Sequence, residues 1–381
     1  MISSDALADP AIDPCTGTSN PAGSSASCVP TGDMTEMCYW DGGSSKIVCD
    51  VAAYCDDTTY GSVSQIVANT STAGVTTDYV YWGGCENGAK TWCCIIDDPS
   101  DEIGRIEISA TDQHDFLAGV YTGGYTFHPL NTPFVLQLEG RDGDDDLLAS
   151  THADARTSAL GGAGADFISA LGLTSGGGSG AMYAEGGGDG DYLLGAIDAD
   201  ELYGQGGDDD IIGWSQDDTI DGGGGDDTIC GDQATSPAAY GDSVASWSAT
   251  CNSSGSGEDT IHGGTGADTI HAGPGPDHVF GGSGEDTLYG EGGEDELAGE
   301  ADPDAVDGGD AHDDICGQGD LVRGGDGNDN IYMWPVSGGS YVGDYDGEAN
   351  DNTNPGDACE PFTGFGNNGC ETQLSPAACP F

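Results

Sequence analysis

Residues 254–316 read SGSGEDTIH, GGTGADTIH, AGPGPDHVF, GGSGEDTLY, GEGGEDELA, GEADPDAVD and GGDAHDDIC, which are seven nonapeptides in unbroken register. Residues 186–230 hold a run of five more, GGGDGDYLL, GAIDADELY, GQGGDDDII, GWSQDDTID and GGGGDDTIC. Single copies begin at Gly140, Gly161 and Gly324, so the sequence contains 15 units. A period of this kind indicates a repeat architecture in which each unit stacks on its neighbours.

The units are aligned on the aspartate at position six, so its presence in every unit is partly a result of the alignment. The residue at position eight is an independent test. The residues at position eight are Leu147, Ile168, Leu193, Leu202, Ile211, Ile220, Ile229, Ile261, Ile270, Val279, Leu288, Leu297, Val306, Ile315 and Ile331. All 15 are aliphatic, while position one is glycine in 13 units and position four in 10. Low-complexity disorder has no reason to keep an aliphatic residue in phase, so the repeat predicts an ordered fold.

The spacing within a unit predicts its path. Glycine adopts positive φ without a steric penalty, so the first six residues predict a turn. The last three predict a short strand, in which position eight points inward and positions seven and nine point outward. One aliphatic residue per strand gives a thin core even when many turns stack. Such a core does not offset the chain entropy, so the carboxylate-bearing turns must hold the stack together.

The charge of the chain supports the same conclusion. Lys and Arg total 6 against 68 Asp and Glu, which gives a formal net charge of -62. This imbalance would push an ordinary compact fold apart, and it argues against binding to nucleic acid or anionic membrane. Either the chain is disordered or bound cations cancel its charge. The acidic residues recur in register with glycine and aliphatic residues, which favours bound cations.

The pattern G-G-x-G-x-D-x-U-x resembles the RTX, or haemolysin-type, calcium-binding repeat over residues 140–332. The resemblance implies an all-β fold, a right-handed parallel β-roll or β-solenoid in which two nonapeptides make one turn. It also implies that calcium binds between stacked turns, to the sixth-position aspartate and to backbone carbonyls of the glycine-rich loop. Carried over, the aspartate ligands are Asp145, Asp166, Asp191, Asp200, Asp209, Asp218, Asp227, Asp259, Asp268, Asp277, Asp286, Asp295, Asp304, Asp313 and Asp329.

Ligation by oxygen alone suits a hard cation, and a cage of protein oxygens favours Ca²⁺ over Mg²⁺, which keeps its water. About ten calcium ions would neutralise roughly 20 charges, and binding would be coupled to folding. Asp145 and Asp166 lie in single copies and are expected to lack a stacked partner turn. Position four departs from glycine in five units, where strain predicts weaker sites: Asp189, Asp198, Gln216, Asp302 and Ala311.

The cysteines indicate an oxidising compartment. Eight of the 14 lie before residue 95, a density that favours disulfides. A zinc site is the alternative, although zinc ligands usually come as tight C-x2-C pairs at matched spacing. Residues 231–253 interrupt the repeat register, and we predict that a Cys230–Cys251 disulfide closes this insertion. Cys230 and Cys316 both occupy position nine and are expected to face outward.

Four regions are expected. Residues 1–103 form a Cys-rich, disulfide-stapled region, and residues 104–139 form a metal-free β-helical cap at the start of the roll. Within that cap RIEIS and TPFVLQLEG predict strands, and Leu117 lies in the eighth phase. Residues 140–332 form the β-roll, and residues 333–381 form a C-terminal cap. Cys316 could tether this cap through one of its three cysteines: Cys359, Cys370 and Cys379.

The sequence excludes several functions more readily than it names one. It contains no H-E-x-x-H zinc motif and no G-x-S-x-G nucleophile motif, so no enzyme is expected. No apolar run is long enough for membrane insertion. The first residues lack the features of a signal peptide, so export by the general secretory route would require a leader that this sequence does not contain.

The leading hypothesis is a secreted or cell-surface calcium-binding β-roll protein with a structural, adhesive or matrix-assembly role, which includes self-association. One alternative is a secreted enzyme or toxin-like effector whose activity lies in the Cys-rich N-terminal region. Another is a module in which that region binds a glycan or a protein and the roll is a calcium-stiffened spacer.

Overall fold

The computed structural model describes residues 27–30, 38–41, 46–50, 63–69, 78–84, 90–96, 105–109, 116–121, 134–149, 155–170, 180–232, 251, 256–317, 321–333, 358–359 and 372–373. The chain divides into two compact units. Unit 1 comprises residues 1–187, 195–197 and 240–244, and unit 2 comprises residues 188–194, 198–239 and 245–381. Strands are the only regular structure in the described ranges, which contain no helix able to cross a membrane.

Unit 1 contains the first 13 strands. They are β1 (Ser27–Pro30), β2 (Cys38–Asp41), β3 (Lys46–Asp50), β4 (Val63–Asn69), β5 (Asp78–Gly84), β6 (Lys90–Ile96), β7 (Arg105–Ser109), β8 (Phe116–Tyr121), β9 (Phe134–Asp142), β10 (Asp146–Ala149), β11 (Ala155–Ala163), β12 (Phe167–Ser169) and β13 (Met182–Gly188). One sheet has the order β1-β6-β5-β4-β8-β10-β12, and the other has the order β2-β3-β7-β9-β11-β13. The predicted strands RIEIS and TPFVLQLEG are confirmed as β7 and β9.

The pairing within unit 1 changes along the chain. Strands β1, β6, β5 and β4 pair antiparallel, as do β2 and β3. From β7 and β8 onward the strands pair in parallel, with β7 on β9, β9 on β11, and β8 on β10. The parallel coil therefore begins before the first glycine-rich repeat.

Unit 2 contains the remaining 16 strands. They are β14 (Tyr192–Leu194), β15 (Glu201–Gly206), β16 (Asp210–Trp214), β17 (Thr219–Gly224), β18 (Thr228–Asp232), β19 (Thr260–Thr265), β20 (Thr269–Pro274), β21 (His278–Ser283), β22 (Thr287–Gly292), β23 (Glu296–Ala301), β24 (Ala305–Asp310), β25 (Asp314–Gly317), β26 (Leu321–Asp326), β27 (Asn330–Met333), β28 (Ala358–Cys359) and β29 (Thr372–Gln373). The even-numbered strands β14 to β26 form one parallel sheet, and the odd-numbered strands β15 to β27 form the other, which continues into β28 and β29. This is a parallel β-solenoid.

The register within the sheets confirms that two nonapeptides make one turn. Ile211 in β16 pairs with Ile229 in β18, and Ile261 in β19 pairs with Val279 in β21. Every one of the 15 aliphatic residues at position eight is buried, with no more than 2% of its surface exposed. Leu117 is equally buried, and it pairs with Leu147 as its phase predicts.

The strands are longer than the sequence predicts. Strand Thr260–Thr265 runs from position seven of one unit through position three of the next, so the turn itself occupies only positions four to six. The prediction of a six-residue turn is wrong, because parallel pairing continues through positions one to three. Gly264, for example, pairs with both Gly223 and Gly282.

The cysteines at position nine are more buried than an outward-facing position suggests. Cys230 is fully buried and Cys316 is 3% exposed, although alternation along the strand directs position nine away from the core that position eight fills. Both are disulfide-bonded, and a bonded sulfur is shielded by the chain segment that it joins. The predicted Cys230–Cys251 pairing is confirmed, with Cα atoms 5.7 Å apart. The predicted partners Cys370 and Cys379 of Cys316 lie outside the described residues.

Candidate calcium site

All 15 aspartates predicted as ligands are buried, with at most 4% of their surface exposed. They form ladders in which the backbone N–H of one aspartate donates a hydrogen bond to Oδ1 of the aspartate one turn further on. In unit 1 the N–H of Asp145 donates to Oδ1 of Asp166 over 2.7 Å. The expectation that these two single copies lack a stacked partner is therefore wrong, because each is the partner of the other.

Unit 2 contains two such ladders, with N···O distances of 2.7–3.0 Å. The first ladder consists of Asp191, Asp209, Asp227, Asp268, Asp286 and Asp304. The second consists of Asp200, Asp218, Asp259, Asp277, Asp295, Asp313 and Asp329. The sequence therefore places every predicted carboxylate on one of three hydrogen-bonded columns.

The glycine at position one leaves room for this carboxylate. A Cβ added to Gly263 would lie 2.5 Å from Oδ2 of Asp268 and 2.5 Å from the carbonyl oxygen of Gly281. A Cβ added to Gly281 would likewise lie 2.5 Å from Oδ2 of Asp286 and 2.9 Å from the carbonyl oxygen of Gly299. Carboxylate and main-chain oxygens of adjacent turns thus converge on the space that the missing side chain vacates.

Position four has the backbone conformation that favours glycine. Eight of the ten glycines at this position have φ between 122° and 159°, as in Gly164 and Gly327. Four of the five predicted departures have smaller positive values, at φ 74–95°: Asp189, Gln216, Asp302 and Ala311. These turns shift toward the left-handed region that a side chain tolerates at a cost of about 1 kcal/mol or more. Asp198, the fifth departure, does not have positive φ, and the weaker binding expected at these five turns stays a prediction.

In nine of the ladder aspartates one carboxylate oxygen has no donor among the described residues. Oδ2 is buried and accepts no hydrogen bond from the described residues in nine ladder aspartates: Asp209, Asp218, Asp227, Asp259, Asp268, Asp277, Asp286, Asp295 and Asp313. A buried carboxylate oxygen without a partner is strongly unfavourable unless a cation or a proton compensates it. Because the same oxygen lacks a donor in nine ladder aspartates, a chance packing defect does not explain it.

The electrostatics show how unfavourable this burial is for the bare anion. Burial, strengthened by the charges of Asp200 and Asp259, raises the pKa of Asp218 to about 10. Burial likewise raises the pKa of Asp295 to about 8 and that of Asp268 to about 7. Desolvation of the charged form is the largest cause in each case. The folded ladder therefore favours either protonation or a bound positive charge.

These donors fit a calcium ion. They are hard oxygens, anionic and partly main-chain, which is the ligand set that Ca²⁺ prefers. Among the described residues no group of three or more His, Cys, Asp and Glu side chains is placed to hold a metal. Each site that the repeats imply would instead combine sixth-position carboxylates with carbonyl oxygens of the turns.

Two functional features escape a strict nine-residue period. Val322 occupies a further eighth position, fully buried and paired with Val306, in a unit shortened by two residues. Asp232 is 99% buried at the point where the insertion leaves the roll, where burial and acidic neighbours disfavour its charged form and the amide of Gly257 favours it. The sequence signal for Asp232 is its place two residues after the last unit of the first run.

A family model of the RTX calcium-binding nonapeptide repeat matches this sequence in four copies, at residues 185–220, 215–234, 253–288 and 289–320. The resemblance inferred from the G-G-x-G-x-D-x-U-x pattern is thereby confirmed over residues 185–320. No curated protein matches the sequence at a significant level.

Proposed function

From the premise that residues 185–320 carry RTX calcium-binding nonapeptide repeats, we propose that this is an extracellular structural protein whose β-solenoid folds and stiffens on binding calcium. The observation that carries the proposal is the set of nine buried ladder carboxylates whose Oδ2 atoms lack a hydrogen-bond donor among the described residues. A bound Ca²⁺ supplies the positive charge and the coordination that these oxygens require.

The residues of the chain have separate parts in this function. The sixth-position aspartates would provide the anionic ligands, and their Oδ1 atoms fix the stacking of successive turns. Position one is kept small so that the carboxylate can approach the next turn, as at Gly263. The aliphatic residues at position eight fill the core. Because neither the thin core nor the charged turns suffice alone, folding and binding would occur together.

Extracellular placement follows from two properties of the proposed sites. Extracellular calcium modules bind with Kd of about 10⁻⁴–10⁻³ M, so such sites stay empty in cytosol and fill outside the cell. The Cys230–Cys251 disulfide fits the same compartment, because disulfides persist in oxidising environments. We further propose that the role is structural, adhesive or matrix-forming, with a glycan, a matrix component or a second copy of the chain as partner.

Calcium titration of the full chain tests the proposal. We expect the far-ultraviolet circular dichroism signal of β-structure to rise cooperatively with calcium and to be lost on chelation. Equal concentrations of magnesium serve as the control, because Mg²⁺ prefers to retain its water and is a poor match for these sites. A spectrum that is the same in chelator and in millimolar calcium, with no ion bound, would contradict the proposal.

A further inference from the structure

The turn interrupted by the insertion is completed from two separate segments. Gly231 takes position one, because a Cβ there would collide with Oδ2 of Asp259, as at other first-position glycines. Positions three and onward begin at Ser256, whose carbonyl oxygen accepts a hydrogen bond from the N–H of Gln216 over 3.3 Å. Position two of this turn is therefore Asp232, which pairs with Trp214 at position two of the preceding turn.

In uninterrupted turns, the residue at position two lies against the carbonyl oxygen of position two in the preceding turn. At Gly264, Gly282 and Gly309, the atom nearest to an added Cβ is the carbonyl oxygen of the residue at position two one turn earlier. These main-chain oxygens line the glycine-rich loops in which the repeat resemblance places calcium ligands. Position two thus normally presents a backbone oxygen to the following turn.

At Gly273 the neighbour is different. The three atoms nearest to an added Cβ all belong to the Asp232 side chain, with its Cβ at 2.5 Å and its Oδ2 at 3.1 Å. The side chain of Asp232 therefore occupies the place where the other turns have a carbonyl oxygen, with its Cβ nearest and its carboxylate oxygen Oδ2 just beyond. The exchange coincides with the point at which the chain leaves the roll for the insertion.

Several acidic residues surround Asp232. Burial is the largest cause that raises its pKa to about 7, and the charges of Asp277, Asp217 and Glu291 add to it, against a smaller lowering by the amide of Gly257. The imidazole of His271 pairs with Glu291, with 3.0 Å between Nδ1 and Oε1. A buried carboxylate in this setting requires a compensating positive charge.

We propose that Asp232 is a calcium ligand of the interrupted turn, where its carboxylate replaces the position-two carbonyl oxygen of an ordinary turn. The inference rests on the proposed function, and it adds a ligand that the nonapeptide pattern does not contain. It explains how a solenoid can accept an insertion inside a metal-binding loop without losing the site. The chain leaves the roll after position two, and a side-chain oxygen then serves as the ligand in place of the main-chain carbonyl oxygen.

The test is the Asp232→Asn variant of the full chain, which removes the charge with almost no change in shape. Bound calcium per chain is counted by equilibrium dialysis at saturating calcium, and the calcium midpoint of folding is followed by circular dichroism. We expect Asp232→Asn to lose one ion per chain and to raise the midpoint. Glu285→Gln, which removes an exposed charge at position five, is the matched control and keeps the wild-type count and midpoint.

The opposite result has a distinct signature. If Asp232 is only an uncompensated buried acid, its neutralisation relieves repulsion, so Asp232→Asn would keep every ion and fold at lower calcium. That outcome overturns the inference while Asp268→Asn, which alters a sixth-position ligand, still loses an ion. If the wild-type chain binds no calcium, the proposed function itself fails.

A second variant decides the case in which Asp232→Asn does not fold. Asp232→Glu retains an anionic oxygen but lengthens the side chain by one methylene. If the carboxylate binds an ion, Asp232→Glu recovers the folded signal in calcium at a higher midpoint than wild type. If Asp232→Glu folds no better than Asp232→Asn, the side chain is required for its shape and the ligand role is rejected.

Discussion

Three strands of unit 1 and the turns of unit 2 bury different residues at the same position of the coil, two places before the eighth-position residue. In β9, β11 and β13 the residue two places before the eighth-position residue is Leu136, Thr157 or Met182, and each is buried. In unit 2 the equivalent residue is the ladder aspartate, as in Asp268 before Ile270. The coil continues past both kinds of residue with parallel pairing and a glycine at or near position one.

The difference shows that the parallel coil does not itself require a carboxylate. Burial of a side chain such as Leu136 contributes about 25 cal/mol per Å² of apolar surface, so it stabilises the turn unaided. A buried aspartate does the reverse until its charge is compensated. Calcium dependence is therefore expected to follow the identity of position six, strand by strand.

The largest effect is expected on chelation. Removal of calcium from the full chain is expected to abolish hydrogen-exchange protection in strands β16 to β24, where every turn carries the aspartate. Protection in β9 and β11 is expected to survive, because Leu136 and Leu138 hold that core without a metal. Hydrogen exchange measured by mass spectrometry, with and without chelator, resolves the two sets. Equal loss of protection in both would show that position six does not determine the calcium dependence.

Acidification of the chelated protein is expected to restore part of this structure. Burial raises the pKa of Asp227 and of Asp313 to about 7, against an ordinary value near 4 in the unfolded chain. The folded ladder thus binds more protons than the unfolded chain between these pH values. The resulting stability is fully present below about pH 4 and is lost as the pH rises through about 7.

Circular dichroism in chelator, followed downward from pH 8, measures this recovery. In calcium the direction reverses, because protons compete with the ion for the same oxygens. A chelated chain that gains no β-structure on acidification would indicate that relief of carboxylate repulsion is not enough to close the turns.

Substitution of a single ladder aspartate is expected to change the stability of the roll by less, and in a direction that depends on calcium. Asp268→Asn keeps an oxygen that can accept the hydrogen bond from the N–H of Asp227 but removes the anionic ligand. At calcium about 100-fold above Kd, loss of one site is expected to destabilise the roll by roughly 2.7 kcal/mol. In chelator the same change is expected to stabilise it. Urea unfolding in both conditions, with Glu285→Gln as the control, tests the reversal, and destabilisation in both would refute it.

The sequence predicts the coil well because its two strongest signals are periodic. Sixth-position carboxylates and eighth-position aliphatic residues recur every nine residues, so stacking of alternate units follows, and all predicted ligands lie on the ladders. The nine-residue period alone is enough to predict the strand register inside the coil. The cap strand β8 could be phased for the same reason, from Leu117 alone.

What the sequence does not predict depends on breaks in that period. Val322 lies in a unit of seven residues, which a nine-residue template passes over. Asp232 belongs to a turn whose two parts are separated by the insertion, so only three-dimensional stacking identifies it as position two. The stacking of Asp145 on Asp166 was missed because their units are separated by 21 residues rather than 18.

The smallest effect tests the backbone of the turn rather than its ligands. Gly266, at position four, has φ 138°, and an added Cβ would collide with the carbonyl oxygen of Gly225. Gly266→Ala is therefore expected to destabilise the calcium-bound protein by about 1–3 kcal/mol. In Gly292, at position three, φ is not positive and the nearest atom to an added Cβ is 4.0 Å away, so Gly292→Ala is expected to change stability by less than about 0.5 kcal/mol. Ala311 shows that position four can relax to φ 95°, and equal stability of the two variants would mean that the Gly266 turn relaxes in the same way. Lower stability of Gly266→Ala would instead show that uninterrupted loops, unlike those at Ala311 or Gln216, are held in a conformation that only glycine adopts.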